Sequence, residues 1–375
     1  MRPVSNRNQW LDLCRAMAIL LVVAAHGLFF VPWSKAPMMQ RLFGYFGVEI
    51  FFCLSGFLIG SIFMETVNRF EESPSAILLF MIRRWLRTIP NYYFFLALNL
   101  CLFALAWTFE KPEEVGKYLV FCQNLLTPHP NFFPEAWSLA IEEIFYFLLP
   151  ISFAGFWTLL RKPLPALLAS LVAILAGSMT LRWYGAHSAT LWDEGVRKVA
   201  LYRVDSLMWG VLLSVAYRKF LVTRPRATLL LAACLLLVLS VSVYSVSRST
   251  EWLNSSFFAK FWIFTITSVG ICGLLLAGLR IKVPVKIDAI FEKIARLSYS
   301  MYLSNLASLF TVLHFFGMSQ NAEGAAVRVA LYLGIIFALS NLSYRCIELP
   351  FLRLRRKYFP DEKTARYGSA APVQS

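Results

Sequence analysis

The sequence predicts an all-α, polytopic integral membrane protein with about ten transmembrane helices and both termini in the cytoplasm. Three observations predict this fold class: an apolar composition, ten long apolar stretches, and an uneven distribution of Lys and Arg. Of the 375 residues, 58% are hydrophobic and 15% are charged, against about 45–50% and about 25% in soluble domains. The mean hydropathy of the whole chain is +0.62. A soluble globular protein is excluded, because so much apolar surface must face lipid.

Ten apolar stretches are long enough to cross the hydrocarbon core of a bilayer, which is about 30 Å thick. An even number of spans places the two termini on the same side of the membrane. In chain order the stretches are 11–31, 42–64, 91–109, 136–160, 165–184, 203–217, 227–247, 258–279, 297–316 and 325–347.

The positively charged residues are distributed unevenly between the two predicted sides of the membrane. A net charge of +15 and a pI near 9.6 would suggest a nucleic-acid partner in a soluble protein. Here the segments on the side of the termini hold 23 Lys and Arg, and the opposite side holds eleven, seven in its loops and four at the adjoining ends of the spans. Because Lys and Arg are enriched in cytoplasmic loops, this split places both termini in the cytoplasm. The charge is therefore a topology signal, and no nucleic-acid partner is expected.

Local signals define the first elements. The first span follows Arg2 and Arg7, as the apolar region of a cleaved signal peptide would. Its length of about 20 residues and the lack of a small-x-small cleavage motif instead favour a retained helix. Segment 76–90 mixes apolar residues with arginines and predicts an amphipathic helix at the cytoplasmic interface that stops at Pro90.

One membrane domain is predicted for residues 1–357. The polar residues 358–375 are expected to form a disordered cytoplasmic tail. The seven cysteines lie mostly inside apolar runs and form no C-x-x-C motif. Neither a disulfide framework nor a metal site is therefore indicated.

Ionisable side chains inside the spans are costly in a bilayer and are usually functional. In the first helix, Arg15 and His26 are 11 residues apart, which corresponds to a rotation of about 20° and a rise of about 16 Å. They therefore share one face, with Arg15 near the cytoplasmic boundary and His26 in the outer half. Asp12 lies within one helical turn of Arg15 and is a candidate partner for it.

The second helix carries Glu49 at a depth near that of His26. Cys53, Gly56 and Gly60 follow Glu49 at helical spacing, and they form a small-residue face on which another helix can pack closely. The same depth is predicted for acidic residues of the fourth helix.

That fourth helix contains the adjacent acidic residues Glu142 and Glu143. Ser138, Glu142 and Tyr146 share one helical face, whereas Glu143 points about 100° away. Glu142 is thus a second carboxylate that can approach the histidine.

The polar residues form two predicted clusters. A histidine beside carboxylates suits general-base catalysis on a hydroxyl group, because the carboxylate fixes the imidazole tautomer. A cationic cluster suits a phosphate-bearing donor, because guanidinium groups bind phosphate in a bidentate manner. The outer cluster contains His26, Glu49, Glu142, Arg203 and Asp205, and the cytoplasmic cluster contains Arg84, Arg87, Tyr299, Arg345 and Glu348, with Arg15 near it.

Each of these groups also has a structural explanation. A histidine in an apolar helix can act only as a hydrogen-bonding group of the packing. Arg84 and Arg87 can be cytoplasmic charges that set topology. Glu49 and Glu142 can pair with Arg203 or with helix ends. Composition and spacing leave these alternatives open.

A series of motifs adds family information to these residues. LDLCRAMAILLVVAAHG contains Arg15 and His26, and it is followed in order by GVEIFFCLSGFLIG, RRWLRTIPNYY, WSLAIEEIFYFLLP, YRVDSLMWG and LSNLSYRCIELPFLRLRRK. In this order they resemble the integral-membrane acyltransferase family 3, whose members O-acylate sugars and other hydroxyl compounds. The resemblance covers residues 8 to 357. One departure is SYSMYLSN, which places Asn305 where many relatives have a histidine.

The resemblance implies roles for particular residues and no bound metal. It implies His26, Glu49 and Glu142 as catalytic residues, Arg15, Arg84 and Arg87 as ligands of acyl-CoA, and Trp137, Ser138 and Asp205 as substrate-binding residues.

The resemblance further implies a multi-pass O-acyltransferase of the bacterial inner membrane. It would move an acyl group, acetyl in the first instance, from cytoplasmic acyl-CoA to a hydroxyl of a surface glycan or glycolipid. The family form implied is the stand-alone one, without an esterase-like domain. Direct transfer and an acyl-histidine relay both remain open. The alternatives are acylation of a small secreted metabolite and a transporter or flippase, which also lines its path with charges.

Overall fold

The computed structural model describes residues 8–360, except residues 72, 109, 110 and 113. All regular secondary structure in this part of the chain is helical, which confirms the predicted all-α class. The α-helices are, in chain order, α1 Gln9–Gly27, α2 Ala36–Val67, α3 Ser75–Ala104, α4 Val115–Leu119, α5 Ala136–Leu160, α6 Pro163–Ser188, α7 Asp205–Ala216, α8 Pro225–Val246, α9 Thr250–Ser255, α10 Phe257–Phe261, α11 Ile263–Gly278, α12 Val285–Phe316, α13 Ala322–Ser343 and α14 Leu349–Tyr358.

Each of the ten predicted spans overlaps an α-helix, or two consecutive helices in the case of α10 and α11, although α7 has only 12 residues. Among the described residues, six helical segments are long and apolar enough to cross a membrane: Gln9–Phe30, Ala36–Val67, Ala136–Leu160, Pro163–Ser188, Pro225–Val246 and Ala322–Tyr358. A polytopic all-α membrane protein is thereby confirmed. The number of ten spans and the side of the termini stay predictions, and residues 361–375 of the predicted tail lie outside the described residues.

The structure corrects the expectation that a helix stops at Pro90. Helix α3 continues through this proline from Ser75 to Ala104. Proline has no backbone N–H, so the carbonyl of Leu86 loses one helical hydrogen bond. Tyr92 and Phe95 follow in the next turns and are fully buried, and their packing stabilises the continuous helix. The arginines before Pro90 therefore lie on the same helix as the predicted third span.

Helices α2 and α7 pack with their backbones in contact. A Cβ atom on Gly56 would lie 2.0 Å from the carbonyl oxygen of Leu207, and a Cβ on Gly210 would lie 2.1 Å from that of Cys53. Only glycine therefore permits this approach at either position. The predicted small-residue face of the second helix is confirmed, and the structure shows that α7 is the helix that covers it.

Helix α1 packs between α2 and α12. The Asn8 side chain accepts hydrogen bonds from the amides of Trp10 and Leu11 and so caps the first turn of α1. His26 lies in the last turn of the same helix. Because α1 carries Arg15 near one end and His26 near the other, it connects two separate polar regions of the protein.

Candidate functional site

Two cavities lie along α1, one beside Arg15 and one beside His26. The arginine cavity has a volume of about 400 Å³ and the histidine cavity of about 300 Å³. Val48 and Tyr302 line both of them, so the cavities share a wall. Polar residues that line the arginine cavity include Arg15, Ser55, Arg84, Arg87, Thr88, Ser138, Glu142 and Tyr299, and those that line the histidine cavity include His26, Glu135, Asp193, Arg197, Lys198 and Asn305.

The arginine cavity brings together the three arginines that the sequence predicted as donor ligands. Arg15 Nη1 lies 3.6 Å from Asp12 Oδ1, which confirms Asp12 as its partner. Arg84 Nη2 lies 3.7 Å from Glu142 Oε2 and also donates to the Tyr146 hydroxyl. The Arg87 guanidinium has no ion pair or hydrogen bond with any of the described residues. It is therefore the cation of this cavity that is available to an incoming anion.

Glu142 lies in the arginine cavity and not beside His26. Its Oε1 accepts a hydrogen bond from Ser55 at 3.2 Å, and its Oε2 accepts one from the Tyr146 hydroxyl at 2.8 Å. The contact between Tyr146 and Glu142, and the presence of Ser138 and Glu142 in the lining of one cavity, confirm the predicted common face of the three residues. What differs is the direction of that face, because it points to α3 and the arginines.

The imidazole of His26 is held through its Nδ1 atom. Nδ1 lies 2.9 Å from the carbonyl oxygen of Val22 and 3.2 Å from Asn305 Nδ2. The Tyr332 hydroxyl donates to Asn305 Oδ1 and lies 3.3 Å from the carbonyl oxygen of Val23. A carbonyl oxygen only accepts, so the hydrogen bond with Val22 requires a proton on Nδ1, and the Asn305 amide nitrogen, itself a donor, then touches Nδ1 as a packing contact and not as a hydrogen bond. In that tautomer Nε2 carries the lone pair and is free to act as a base.

Glu49 does not reach His26. Its Oε1 lies 2.7 Å from Arg203 Nη2, and both side chains are fully buried. Glu49 shares a helical face of α2 with Cys53 and Gly56. This face packs against α7, and Arg203 lies just before the start of α7. The carboxylate is therefore committed to a buried ion pair, and it lines neither cavity.

The three residues predicted to bind substrate occupy different places. Asp205 is buried and forms an ion pair with Arg182 at 2.9 Å, away from both cavities. Trp137 lines the histidine cavity, where the Arg197 guanidinium lies 4.8 Å from its ring centroid. Ser138 lines the arginine cavity, and its Oγ lies 2.6 Å from the Tyr302 hydroxyl at the shared wall.

Sequence reasoning missed three features of the histidine cavity. Glu135 precedes α5 and is buried in the cavity wall, although it lies outside the apolar spans. Asn305 was noted only as a departure from a family motif, yet it contacts His26. Lys198 and Arg197 enter the cavity from the connection between α6 and α7, which carried no recognisable motif.

Comparison with known proteins identifies the family of the chain. The family model described as an acyltransferase domain matches residues 8–345. The O-acetyltransferase OatA of Staphylococcus aureus is 24% identical over 382 residues, covering 93% of this chain and 57% of that protein. The peptidoglycan O-acetyltransferase OatA of Listeria monocytogenes is 29% identical over 172 residues, covering 41% of this chain and 25% of that protein.

The chain spans less than two thirds of the length of these curated relatives. No solved structure matches the chain. The family model nevertheless extends over both cavities and includes Arg15, His26 and Arg87. On this match, the chain belongs to the acyltransferase family 3 that its motifs resemble.

Proposed function

We propose that the protein transfers an acyl group, acetyl in the first instance, from acyl-CoA in the arginine cavity to a hydroxyl group in the histidine cavity. The acceptor is a surface glycan or glycolipid, and the membrane is the bacterial inner membrane. The name of the Listeria relative, a peptidoglycan O-acetyltransferase, supports a glycan acceptor.

One observation carries this proposal: a cationic cavity and a histidine cavity share Val48 and Tyr302 as a common wall. Arg15 and His26 are separated by about 16 Å along α1. A donor held by its phosphates at the arginines can therefore extend its reactive end toward the histidine. The acceptor needs to enter only the histidine cavity.

The residues of the arginine cavity fit the chemistry of acyl-CoA. Arg87 has an uncommitted guanidinium, and guanidinium groups bind phosphate in a bidentate manner. A third cavity of about 480 Å³ shares Arg15, Leu58 and Ser61 with the arginine cavity. Together the two cavities offer room for a ligand with a bulky charged end and a narrow arm. Acyl-CoA supplies an activated thioester when it is bound.

His26 acts as the general base in this proposal. With Nδ1 protonated toward Val22, Nε2 takes the proton from the acceptor hydroxyl group. The hydroxyl oxygen bonds to the acyl carbon, the carbon–sulfur bond breaks, and His26 returns the proton to the leaving sulfur. Transfer is direct in this proposal, and Val48 and Tyr302 are the residues that lie between the two substrates. Glu49 has no part in this step, since its carboxylate is paired with Arg203.

The proposal is tested with radiolabelled acetyl-CoA and membranes that contain the protein. The wild type should transfer label to the glycan fraction. His26→Asn should insert normally and transfer at least about 100-fold more slowly, because base catalysis contributes about 10² to 10⁴-fold. His187→Asn is the matched control, since His187 is exposed and its Nδ1 contacts a helical carbonyl in the same way. Transfer by His26→Asn within a few-fold of wild type would overturn the proposed chemistry.

A further inference from the structure

Glu135 is a buried carboxyl group without a partner in the wall of the histidine cavity. Its exposed fraction is 5%. Neither Oε1 nor Oε2 accepts a hydrogen bond from another described residue. The side chain lies beside the cavity that contains His26. Because buried polar groups in proteins are nearly always hydrogen-bonded, this carboxyl calls for a partner that is not among the described residues, as a bound ligand would be.

The backbone at this position is firmly held. The carbonyl oxygen of Glu135 accepts hydrogen bonds from Tyr302 at 3.3 Å and from Ser138 at 3.4 Å. Burial raises the pKa of the Glu135 carboxyl to about 8, partly offset by the residue's own backbone amide. The main chain of Glu135 is therefore held at the cavity wall. Its buried carboxyl group, which is costly to remove from water, has no hydrogen-bond partner among the described residues.

The cations of this cavity are already compensated. Lys198 Nζ lies 2.9 Å from Asp193 and 2.6 Å from Glu194, and Arg197 pairs with Asp193. Arg41 directs its guanidinium to oxygen atoms of neighbouring residues outside the cavity. An anionic ligand would therefore find no free guanidinium comparable to that of Arg87 in the arginine cavity. The histidine cavity suits an uncharged, hydroxyl-bearing ligand.

We propose that the Glu135 carboxyl binds hydroxyl groups of the acceptor, and that the part of the acceptor inside the histidine cavity is uncharged. This inference rests on the proposed function, which brings the acceptor to His26. Two free carboxyl oxygens can bind two neighbouring hydroxyl groups at once, as a neutral sugar ring presents them. Glu135 then positions the acceptor, while His26 removes the proton.

The test measures binding of chitotetraose, a neutral oligosaccharide, to the purified full-length protein. Glu135→Leu should weaken binding by about tenfold or more, the size of one to two lost hydrogen bonds to a carboxyl group. It should leave acetyl-CoA affinity unchanged and thermal stability equal or higher, because it removes a buried unpaired carboxyl. Glu135→Gln keeps a polar group of the same size and should bind within about threefold of wild type.

Gln123→Leu is the matched control. Gln123 is equally buried, its Oε1 also has no partner, and it lines neither cavity. This variant should leave oligosaccharide affinity unchanged. Glu135→Leu binding within threefold of wild type, or tighter wild-type binding of a phosphorylated oligosaccharide than of chitotetraose, would overturn the inference.

Binding and transfer separate this inference from the proposed function. Binding that depends on Glu135 without acetyl transfer would refute the proposed reaction and leave the inference intact. Acetyl transfer to the oligosaccharide at an unchanged acceptor KM in Glu135→Leu would refute the inference alone.

Discussion

Asn305 Nδ2 lies 3.2 Å from Nδ1 of His26, across the interface between α12 and α1. The Tyr332 hydroxyl of α13 donates to the Asn305 amide oxygen, so three helices meet at the imidazole. The resemblance of the segment SYSMYLSN to the family implies that Asn305 stands where a histidine is frequent. An amide cannot act as a base at neutral pH, but it can hold the ring in position. We therefore interpret Asn305 as a positioning residue for His26.

The first prediction follows from these contacts around the imidazole. Asn305→Leu and Tyr332→Phe should each lower kcat for acetyl transfer by about tenfold, because the imidazole loses its orientation. The KM for acetyl-CoA should stay unchanged, since neither residue lines the arginine cavity. Steady-state kinetics on purified protein separates the two constants.

Asn305→His provides the matched comparison for this prediction. It restores the residue that is frequent in the family and keeps a hydrogen-bonding ring, so kcat should stay within about threefold of wild type. Equal kcat values for the leucine, phenylalanine and histidine variants would show that the contact has no role in orienting His26.

The second prediction concerns the free guanidinium of Arg87. Arg87→Lys keeps the positive charge but loses the bidentate geometry, so the KM for acetyl-CoA should rise by about tenfold. Arg84→Lys should change both the KM for acetyl-CoA and the packing of the cavity, because Arg84 also pairs with Glu142. Equilibrium binding of radiolabelled acetyl-CoA measures the donor affinity directly.

Arg226→Lys serves as the control for membrane topology. Arg226 lies in the first turn of α8 and is exposed, so its charge can contribute to topology but not to either cavity. It should leave donor binding unchanged. If Arg87→Lys binds acetyl-CoA as tightly as Arg226→Lys does, Arg87 is a topology charge and the arginine cavity is not the donor site.

The third prediction treats Glu49 and Arg203 as a structural pair. Removing one member of a buried ion pair leaves an uncompensated charge and costs about 3–5 kcal/mol. Glu49→Leu should therefore lower thermal stability and yield strongly, and Arg203→Met should do the same. The double variant should recover much of the loss, because no buried charge is left alone. Thermal unfolding in detergent measures all three.

A different result is expected if Glu49 orients His26. Glu49→Gln would then fold with normal stability and lose acetyl transfer, and Arg203→Met would not reproduce that loss. The 2.7 Å contact with Arg203 and the absence of Glu49 from the histidine cavity argue for the structural role.

The faces of the helices could be predicted from the sequence, whereas the helices that pack against those faces could not. The spacing of Cys53, Gly56 and Gly60 correctly predicted a surface for close helix packing, because periodicity is a local property. Which helix covers that surface depends on the arrangement of the whole bundle. The covering helix is α7, and this choice directs Glu49 to Arg203 instead of His26.

The same limit applies to the candidate site. Depth and charge predicted Arg84 and Arg87 in one cytoplasmic cluster with Arg15 near it, and the structure places these three in one cavity, whereas Arg345 and Glu348 of the predicted cluster do not line it. Glu135 could not be predicted, because it lies outside the apolar spans where an ionisable residue is conspicuous. Its importance comes from burial without a partner, which only the folded arrangement reveals.

The fourth prediction concerns topology, on which the sides of the two cavities depend. The excess of 23 Lys and Arg over eleven on the opposite side predicts that both termini lie in the cytoplasm. Reporter fusions after Arg161 and after residue 375 should therefore report a cytoplasmic location, and a fusion after Pro128 an external one. Arg15 lies toward the N-terminal end of α1 and His26 toward its other end. The arginine cavity then opens on the side where acyl-CoA is made, and the histidine cavity on the side of the surface glycans. An external C-terminus would exchange the two sides and separate the proposed donor from its cavity.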